Sequence, residues 1–221
     1  VEHAFYDHWR KVQRIIKQRN ALLKQNCSYQ QIAIWDVELI QHGEILNKMR
    51  ENYIERLLPQ LTQMLHTMIP DAAKQLHLKY TRGWSQQLSL SAALQKHFDH
   101  DKATGYTHVG PHRATVQMQY NGHPAHLVLS KGQQKCVVCA MRLAQSIVFD
   151  EDHPNTPCLF LIDDLAAELD AQNQARFADI LMKLRNQIFA TCIAPGQLES
   201  FIAGEANHQM FHVEHGSVLS S

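Results

Sequence analysis

The sequence predicts an α/β fold in its second half, joined to an all-helical arm lobe in its first half. Two long stretches, residues 5–24 and 29–69, place apolar residues at helical spacing and support the arm lobe. Beyond residue 105, short apolar runs alternate with helical periodicity, which is typical of an α/β arrangement. We place the boundary between residues 1–104 and 105–221, although residues 76–104 fit either side.

The composition narrows the class of protein. Of the 221 residues, 45% are hydrophobic and the formal net charge is zero. A core can therefore form, and bulk charge alone does not attract the chain to nucleic acid. No apolar run reaches the roughly 18 residues of a membrane span. The first residues are neither a signal peptide nor an initiator methionine, so we expect a piece of a longer chain.

The five cysteines are odd in number and lie mostly in apolar runs, which predicts reduced thiols and a cytoplasmic location. Cys136 and Cys139 have the spacing of a metal or redox pair, but no second pair accompanies them. We interpret both as packing residues of a buried helix. His97 and His100 could share a helix face, but they lack the carboxylate-rich surroundings of a metal site.

The first predicted helix carries two stripes on different faces. One stripe is apolar and predicts packing against the rest of the lobe. The other, the basic stripe, consists of Arg10, Arg14, Lys17 and Lys24. The basic stripe is either an ordinary solvated face or a surface that contacts DNA phosphates, and the sequence leaves both interpretations open.

The second predicted helix is long and close to a heptad in spacing, so it should pack along another helix. Pro59 lies inside it and should kink it or split it. After this helix we expect a strand at residues 76–80, a short helix at 88–98 and a polar loop at 99–105.

A rigid Gly-Pro turn follows a short predicted strand at residues 105–109. This turn presents His112 and Arg113, whose role is either structural or a contact with nucleotide or DNA. A strand at residues 115–120, followed by Asn121-Gly122, predicts a hairpin. The remaining predicted elements are a helix at 172–184 and strands at 158–162, 187–192 and 209–213.

The stretch at residues 129–135 is predicted to be a loop that leads into a helix. Ser130 is a good N-cap, and Gly132 lets another surface approach the backbone. Apolar residues at helical spacing follow over residues 136–147. The free N–H groups, hydroxyl, lysine and amides of such a helix start suit an anion, above all phosphate. An ordinary capped helix would show the same pattern.

A buried-strand pattern at residues 158–162 ends in two carboxylates, Asp163 and Asp164. The sequence Ala-Glu-Leu-Asp follows at residues 167–170. A Leu-Ser-x-Gly-Gln turn, a helix and then a hydrophobic strand ending in acids is the order found in ATPase heads of the ABC superfamily. In this order the chain resembles the C-terminal half of such a head.

The chain also resembles, over essentially its whole length, the RecF family of bacterial DNA replication and repair proteins. The resemblance rests on several separate segments that occur in the family's order. These are the QRN-x-LL-K stretch at 18–24, Trp35-Asp36 followed by Gly43, the T-x-x-GPHR motif at 107–113, the signature at 129–135, and the Walker B and D-loop segment at 161–170.

The resemblance implies a nucleotide site shared between two subunits. Ser130 and Gly132, with Lys131 and Gln133 beside them, would contact the γ-phosphate of an ATP held by the partner of a head-to-head homodimer. Asp170 would reach across that dimer interface.

The resemblance also implies roles for the two carboxylates after the strand. Asp163 would hold Mg²⁺, and Asp164 would polarise the attacking water. Asp164 is shorter than the glutamate of most ABC heads, which fits a slow, switch-like ATPase.

One departure from the family matters for activity: no G-x-x-x-x-G-K-[ST] phosphate loop occurs in the sequence. We therefore expect this chain alone neither to bind nor to hydrolyse ATP. By resemblance, the whole protein would bind single-stranded or gapped DNA, dimerise with ATP, act with recombination mediator proteins in recombinase loading, and serve the SOS response. The alternatives are a non-enzymatic DNA- or protein-interaction fragment and another ABC-type repair or chromosome ATPase.

Overall fold

The computed structural model describes residues 3–163, 169–184, 186–193, 208–214 and 217–220. The chain divides into two compact units. Unit 1 comprises Val1–Pro59 and Gln75–Val128, and unit 2 comprises Gln60–Lys74 and Leu129–Ser221. The units change at residue 128, whereas the sequence placed a boundary near residue 104. Residues 105–128 thus belong to the same compact unit as the first helix and residues 29–59 of the second.

Two long helices begin the chain, α1 (His3–Lys24) and α2 (Tyr29–Met68). They agree with the predicted spans to within two residues at each end. α2 continues through Pro59 as one helix, so the proline does not split it. Pro59 is exposed, and the apolar side chains that α2 buries along its length offset the cost of a proline inside a helix, about 3 kcal/mol.

The core of unit 1 forms where α1 and α2 pack against α4 (Leu90–Thr104) and the segments around it. Its members are Val12, Ile15, Leu39, Leu46, Trp84, Leu90, Ala93, Leu94 and Val109. α4 is longer than predicted, and the loop expected at residues 99–105 is wrong. The helix starts at the Ser89 N-cap and ends at Gly105, whose φ of 73° suits a left-handed C-cap.

Unit 1 also contains a three-stranded sheet of β1 (Leu76–Thr81), β2 (Thr115–Tyr120) and β3 (His123–Pro124), in the order β1-β2-β3. β1 and β2 are antiparallel, with Leu76 opposite Tyr120. Asn121 and Gly122 both have positive φ, as the predicted hairpin requires. The strand predicted at residues 105–109 is absent, and a single 3-10 turn covers Pro111–Arg113. A short helix, α5 (Ala125–Val128), completes the unit.

Unit 2 is built around α6 (Lys131–Asp152) and α7 (Ala171–Lys183). β4 (Leu159–Ile162) and β5 (Gln187–Ala190) form a parallel pair, as α/β folds require, with Leu159 opposite Gln187. The other described elements of unit 2 are the helix α3 (Pro70–Ala73) and two antiparallel strands, β6 (Phe211–Glu214) and β7 (Ser217–Ser220).

α6 buries one face and leaves the other exposed. Cys136 on its buried face is fully covered, and burial raises the pKa of its thiol. All five cysteines are free thiols. Within the described residues, no helix is long and apolar enough to cross a membrane.

Candidate functional site

A capping box closes the N-terminus of α6. Ser130 Oγ accepts a hydrogen bond from the backbone N–H of Gln133 at 3.2 Å, and Gln133 Oε1 accepts one from the Ser130 N–H at 3.0 Å. The Gln134 amide donates to the Leu129 carbonyl at 2.8 Å, which ties the preceding residue to the helix. The predicted cap is therefore present, and Gln133 supplies its reciprocal half.

The first turn of α6 forms an open surface beside this cap. Ser130, Lys131 and Gly132 are exposed, and a Cβ added at Gly132 would meet no atom within 4 Å. The N–H groups of a first helical turn have no partner within the helix. In the described part of the chain, the Ser130 hydroxyl accepts a hydrogen bond from the Gln133 N–H alone. The remaining N–H groups lie at the positive end of the helix dipole, which suits an anion.

α7 begins with a closely similar arrangement. Asp170 accepts from the Asn173 backbone N–H at 2.9 Å and from the Asn173 side-chain amide at 2.8 Å. The Gln174 amide donates to the Leu169 carbonyl at 2.6 Å, as Gln134 does to Leu129. The Asn173 backbone N–H is the main reason that the pKa of Asp170 lies below its usual value. This exposed carboxylate is therefore ionised at neutral pH and caps its own helix.

Asp163 lies just after β4, where it is exposed. Its Oδ1 accepts a hydrogen bond from the Thr191 hydroxyl at 2.6 Å, and the Thr191 N–H donates to the Ile162 carbonyl at 2.9 Å. Because β4 and β5 are parallel, both residues lie at the carboxyl ends of their strands. Asp164, the predicted catalytic residue, falls outside the described residues.

The donor set around Asp163 suits Mg²⁺ rather than a softer metal. A carboxylate is a hard oxygen ligand, and Mg²⁺ typically takes one or two carboxylates together with phosphate oxygens and water. The described part of the chain contains no group of three or more His, Cys, Asp or Glu side chains placed to hold a metal.

All four side chains of the basic stripe are exposed along α1. Two of them lie over aromatic rings. The Arg10 guanidinium is 5.7 Å from the centroid of Tyr6, and Lys24 Nζ is 4.4 Å from the centroid of Tyr106. The solvated face that the sequence allowed is thus present, and its suitability for phosphates remains a prediction.

A buried polar network in unit 1 was not predicted from the sequence. Arg19, with 0% exposure, donates from Nε to Asp36 at 2.6 Å and from Nη1 to Asp101 at 2.7 Å. Arg19 Nη1 also donates to the Thr107 hydroxyl at 2.9 Å, and that hydroxyl donates to Asn20 at 2.7 Å. Burial raises the pKa of Asp36, and the Arg19 charge opposes the rise.

His112 of the Gly-Pro turn connects the turn to this network by a hydrogen bond. His112 Nε2 donates to the Thr107 carbonyl at 3.0 Å, since a carbonyl can only accept. Burial lowers the pKa of His112, and its buried Nδ1 has no hydrogen-bond partner among the residues that the structure describes. Arg113, by contrast, is exposed. These contacts support a structural role for His112 and leave the role of Arg113 open.

Two glycines fix the same turn. The Gly110 N–H donates to the Gly83 carbonyl at 3.0 Å, and φ is +133° at Gly110 and +93° at Gly83. A Cβ at Gly83 would overlap the Gly110 carbonyl oxygen. From the α2 side, Arg50 donates to the Pro111 carbonyl at 2.7 Å. The turn is therefore held by backbone contacts that need glycine at both positions.

The family model described as the RecF/RecN/SMC N terminal domain matches residues 8–218. The chain belongs to this family. The match extends over most of both compact units and includes the buried network and the start of α6.

Curated relatives and solved structures agree with the family. The DNA replication and repair protein RecF of Vibrio parahaemolyticus is 38% identical over 221 residues, which are 100% of this chain and 60% of the relative. RecF of Cellvibrio japonicus is 38% identical over 224 residues, with 99% and 60% coverage. The chain thus spans about three fifths of the length of these relatives.

A structural comparison shows the fold. The structure of the recombination mediator protein RecF with ATP, in the RecFOR pathway, superposes with a TM-score of 0.79 at 21% identity, over 100% of this chain and 59% of that chain. The structure of RecF-ATPrS, in the same pathway, superposes with a TM-score of 0.75 at 21% identity, over 98% of this chain and 58% of that chain. The predicted α/β class and its arm are therefore confirmed.

Three of the family segments meet in the buried network. Arg19 and Asn20 come from the segment at 18–24, and Asp36 follows Trp35 in the next segment. Thr107 and His112 come from the T-x-x-GPHR segment. The sequence offered one local indication of the network: these polar residues lie inside the family segments. The pairing itself requires the fold, because its partners are far apart along the chain.

Proposed function

We propose that the chain forms part of a RecF-type ATPase head and arm, which binds ATP and Mg²⁺ between two subunits and acts on DNA during replication and recombinational repair. The observation that carries the proposal is the start of α6. There a capped helix exposes Ser130, Lys131 and Gly132 without any side chain that would block an approaching phosphate.

ATP would be contacted in trans in this arrangement. Ser130 keeps its hydroxyl proton available, because its oxygen serves only as an acceptor within the cap. Lys131 and Gln133 add a charge and an amide beside the free N–H groups. Asp170 would lie at the facing subunit. Mg²⁺ supplies charge neutralisation at the phosphates when bound, and Asp163, oriented by Thr191, is the carboxylate that would hold it.

Asp164 would orient the water that attacks the γ-phosphate, since it directly follows the proposed metal ligand in sequence. Catalysis of this type depends on positioning and charge stabilisation rather than on a covalent intermediate. The name of the relatives, DNA replication and repair protein, supports a role with DNA. We propose single-stranded or gapped DNA as the ligand, recombination mediators as partners, and roles in recombinase loading and the SOS response.

Sedimentation of the full-length protein with and without Mg-ATP tests the nucleotide site. We expect ATP to convert the wild-type monomer to a dimer, and we expect Ser130→Arg to remain monomeric because its side chain would occupy the phosphate position. Ser89→Arg is a matched control, since Ser89 is also an exposed N-cap, at the start of α4. If the protein dimerises equally with and without ATP, or if Ser130→Arg still dimerises with ATP, the start of α6 is only a capped helix. Either result would favour a non-enzymatic interaction fragment.

DNA binding by the basic stripe has its own test. Charge reversal of all four residues to glutamate should lower DNA affinity and flatten its dependence on salt, because fewer counterions are released on binding. Unchanged affinity and an unchanged salt slope would remove the stripe from the DNA surface. The variant with Lys48, Lys74, Lys79 and Lys96 reversed, four exposed lysines outside the basic stripe, controls for the same change of net charge.

A further inference from the structure

Tyr106 is a half-exposed aromatic residue of unit 1, directly after the C-cap of α4. Its side chain is 50% exposed. Lys24, the last residue of α1 and the last member of the basic stripe, places its Nζ 4.4 Å from the ring centroid. The stem of Lys24 packs against Gly105, where an added Cβ would meet Lys24 Cγ at 2.8 Å. One side of the ring therefore faces a cation of the basic stripe.

The backbone on both sides of Tyr106 is held by the buried network. The N–H groups of Gly105 and Tyr106 both donate to the Asp101 carbonyl, at 2.8 and 3.2 Å. On the other side, the Thr107 N–H donates to Asn20 at 2.9 Å. The network is thus a fixed support for an exposed ring, and an aromatic side chain presented this way loses little entropy when it stacks on a ligand.

The surroundings of the ring favour a polyanion. No Asp or Glu occurs between Asp7 and Asp36 or between Asp101 and Asp150. Asp36 and Asp101 are themselves buried and paired with Arg19. Asp99 is exposed on α4, and Lys102 lies one turn further along the same helix.

An aromatic pair lies where α2 begins. The ring of Tyr29, 41% exposed, meets Phe98 edge to face at 5.1 Å. Tyr29 follows the turn that ends α1, and Phe98 lies on α4 less than two turns before its end. Of the exposed rings, Tyr106 lies beside a cation of the basic stripe, Lys24, and an aromatic ring beside cations is the combination by which proteins bind single-stranded nucleic acid.

We propose that Tyr106 stacks on an unpaired base of single-stranded DNA while Lys24 and the rest of the basic stripe contact the phosphates. This rests on the DNA binding proposed above and assigns one residue, Tyr106, to the recognition of the single-stranded form. A base in a duplex keeps its faces stacked on its neighbours, so only an unpaired base can use the ring. The basic stripe alone would bind the phosphates of duplex and single-stranded DNA alike.

The test is the affinity of the full-length protein for a labelled oligo-dT strand and for a duplex of equal length, by fluorescence anisotropy. Tyr106→Ala should weaken oligo-dT binding by about 5- to 50-fold, the loss of one stacked base, and leave duplex binding within about two-fold. Tyr106→Trp should keep the wild-type affinity, and its added indole fluorescence should change when oligo-dT binds. Tyr53→Ala, at an α2 tyrosine with 41% exposure, is the matched control and should change neither affinity.

The outcomes separate this inference from the proposed function. If Tyr106→Ala binds oligo-dT as the wild type does, the stacking role is wrong while DNA binding stands. If it weakens duplex and single strand equally, Tyr106 acts only by placing Lys24, and the stacking role is again wrong. If the wild-type protein binds neither DNA, both the inference and the proposed DNA binding fail. Equal melting temperatures of the variants would show that the fold is unchanged.

Discussion

Arg19 and Asp101 form an ion pair of 2.7 Å in which both side chains have 0% exposure. The two residues are 82 positions apart and come from α1 and α4. Through its Nε, the same guanidinium binds Asp36 of α2 at 2.6 Å. One buried cation therefore joins three helices of unit 1, and it neutralises carboxylates that could not otherwise remain charged in the core.

Replacing Arg19 by Met should destabilise the protein severely. The change leaves Asp36 and Asp101 buried without a cation, and breaking a buried pair typically costs about 3–5 kcal/mol. The free energy of unfolding from urea denaturation measures the effect. Lys17→Met, at an exposed position of the same helix, should change it by less than about 0.5 kcal/mol. Equal stabilities of the two variants would contradict the assignment of Arg19 as the organising cation.

Replacing Gly83 by Ala should also destabilise unit 1. The new Cβ would overlap the Gly110 carbonyl oxygen, and φ of +93° strains any residue with a side chain. We expect a loss of about 3 kcal/mol or more, because strain and overlap add. Gly122→Ala is the matched control: φ there is +81°, but an added Cβ meets nothing within 4 Å, so backbone strain of about 1–2 kcal/mol is the whole cost. Equal losses at the two glycines would show that the contact with Gly110 is unimportant.

Regular periodicity made most of the fold predictable from the sequence. The spans of α1, α2 and α7 follow from apolar stripes that repeat over many turns, and the hairpin follows from Asn121-Gly122. The cap at Ser130 was predictable because it depends on residues within one turn. Such features are decided locally, so the sequence around them contains the necessary information.

Features that depend on distant partners were not predictable. Arg19 lies in a helix rich in surface cations, and nothing near it in sequence marks it as buried. The polar residues after Phe98 predicted a loop, yet α4 continues because Asp101 turns inward to meet Arg19. The same ion pair thus explains both a missed core residue and a wrong helix end.

Stability should fall as the pH drops through the titration range of His112. Burial lowers the pKa of folded His112 below its ordinary value of 6.5, so on acidification the unfolded chain binds the proton first. The contribution of His112 is fully present above about pH 6.5 and is lost as the pH falls toward the folded pKa. His42, whose pKa is also lowered chiefly by burial, has the same sign.

The variant His112→Gln measures how much of the pH dependence of stability comes from this residue. Glutamine can still donate to the Thr107 carbonyl but does not titrate. The free energy of unfolding should therefore fall less between about pH 7.5 and pH 5.5 in the variant than in the wild type. The remaining slope should shrink further in the double variant with His42→Gln. A slope identical to that of the wild type would show that His112 takes up its proton equally in both states.

Ser130→Asp separates the cap at α6 from the proposed phosphate contact. Aspartate caps α7 in the same arrangement, where Asp170 accepts from the Asn173 N–H at 2.9 Å, so the substitution should keep the helix start and change stability by less than about 0.5 kcal/mol. Its negative charge would repel the γ-phosphate, and ATP-dependent dimerisation should be lost. Ser130→Ala, by contrast, should lower the free energy of unfolding by about 1 kcal/mol, because alanine cannot cap the helix. Sedimentation with Mg-ATP beside urea denaturation measures both properties, and a Ser130→Asp protein that still dimerises with ATP would place the phosphate elsewhere.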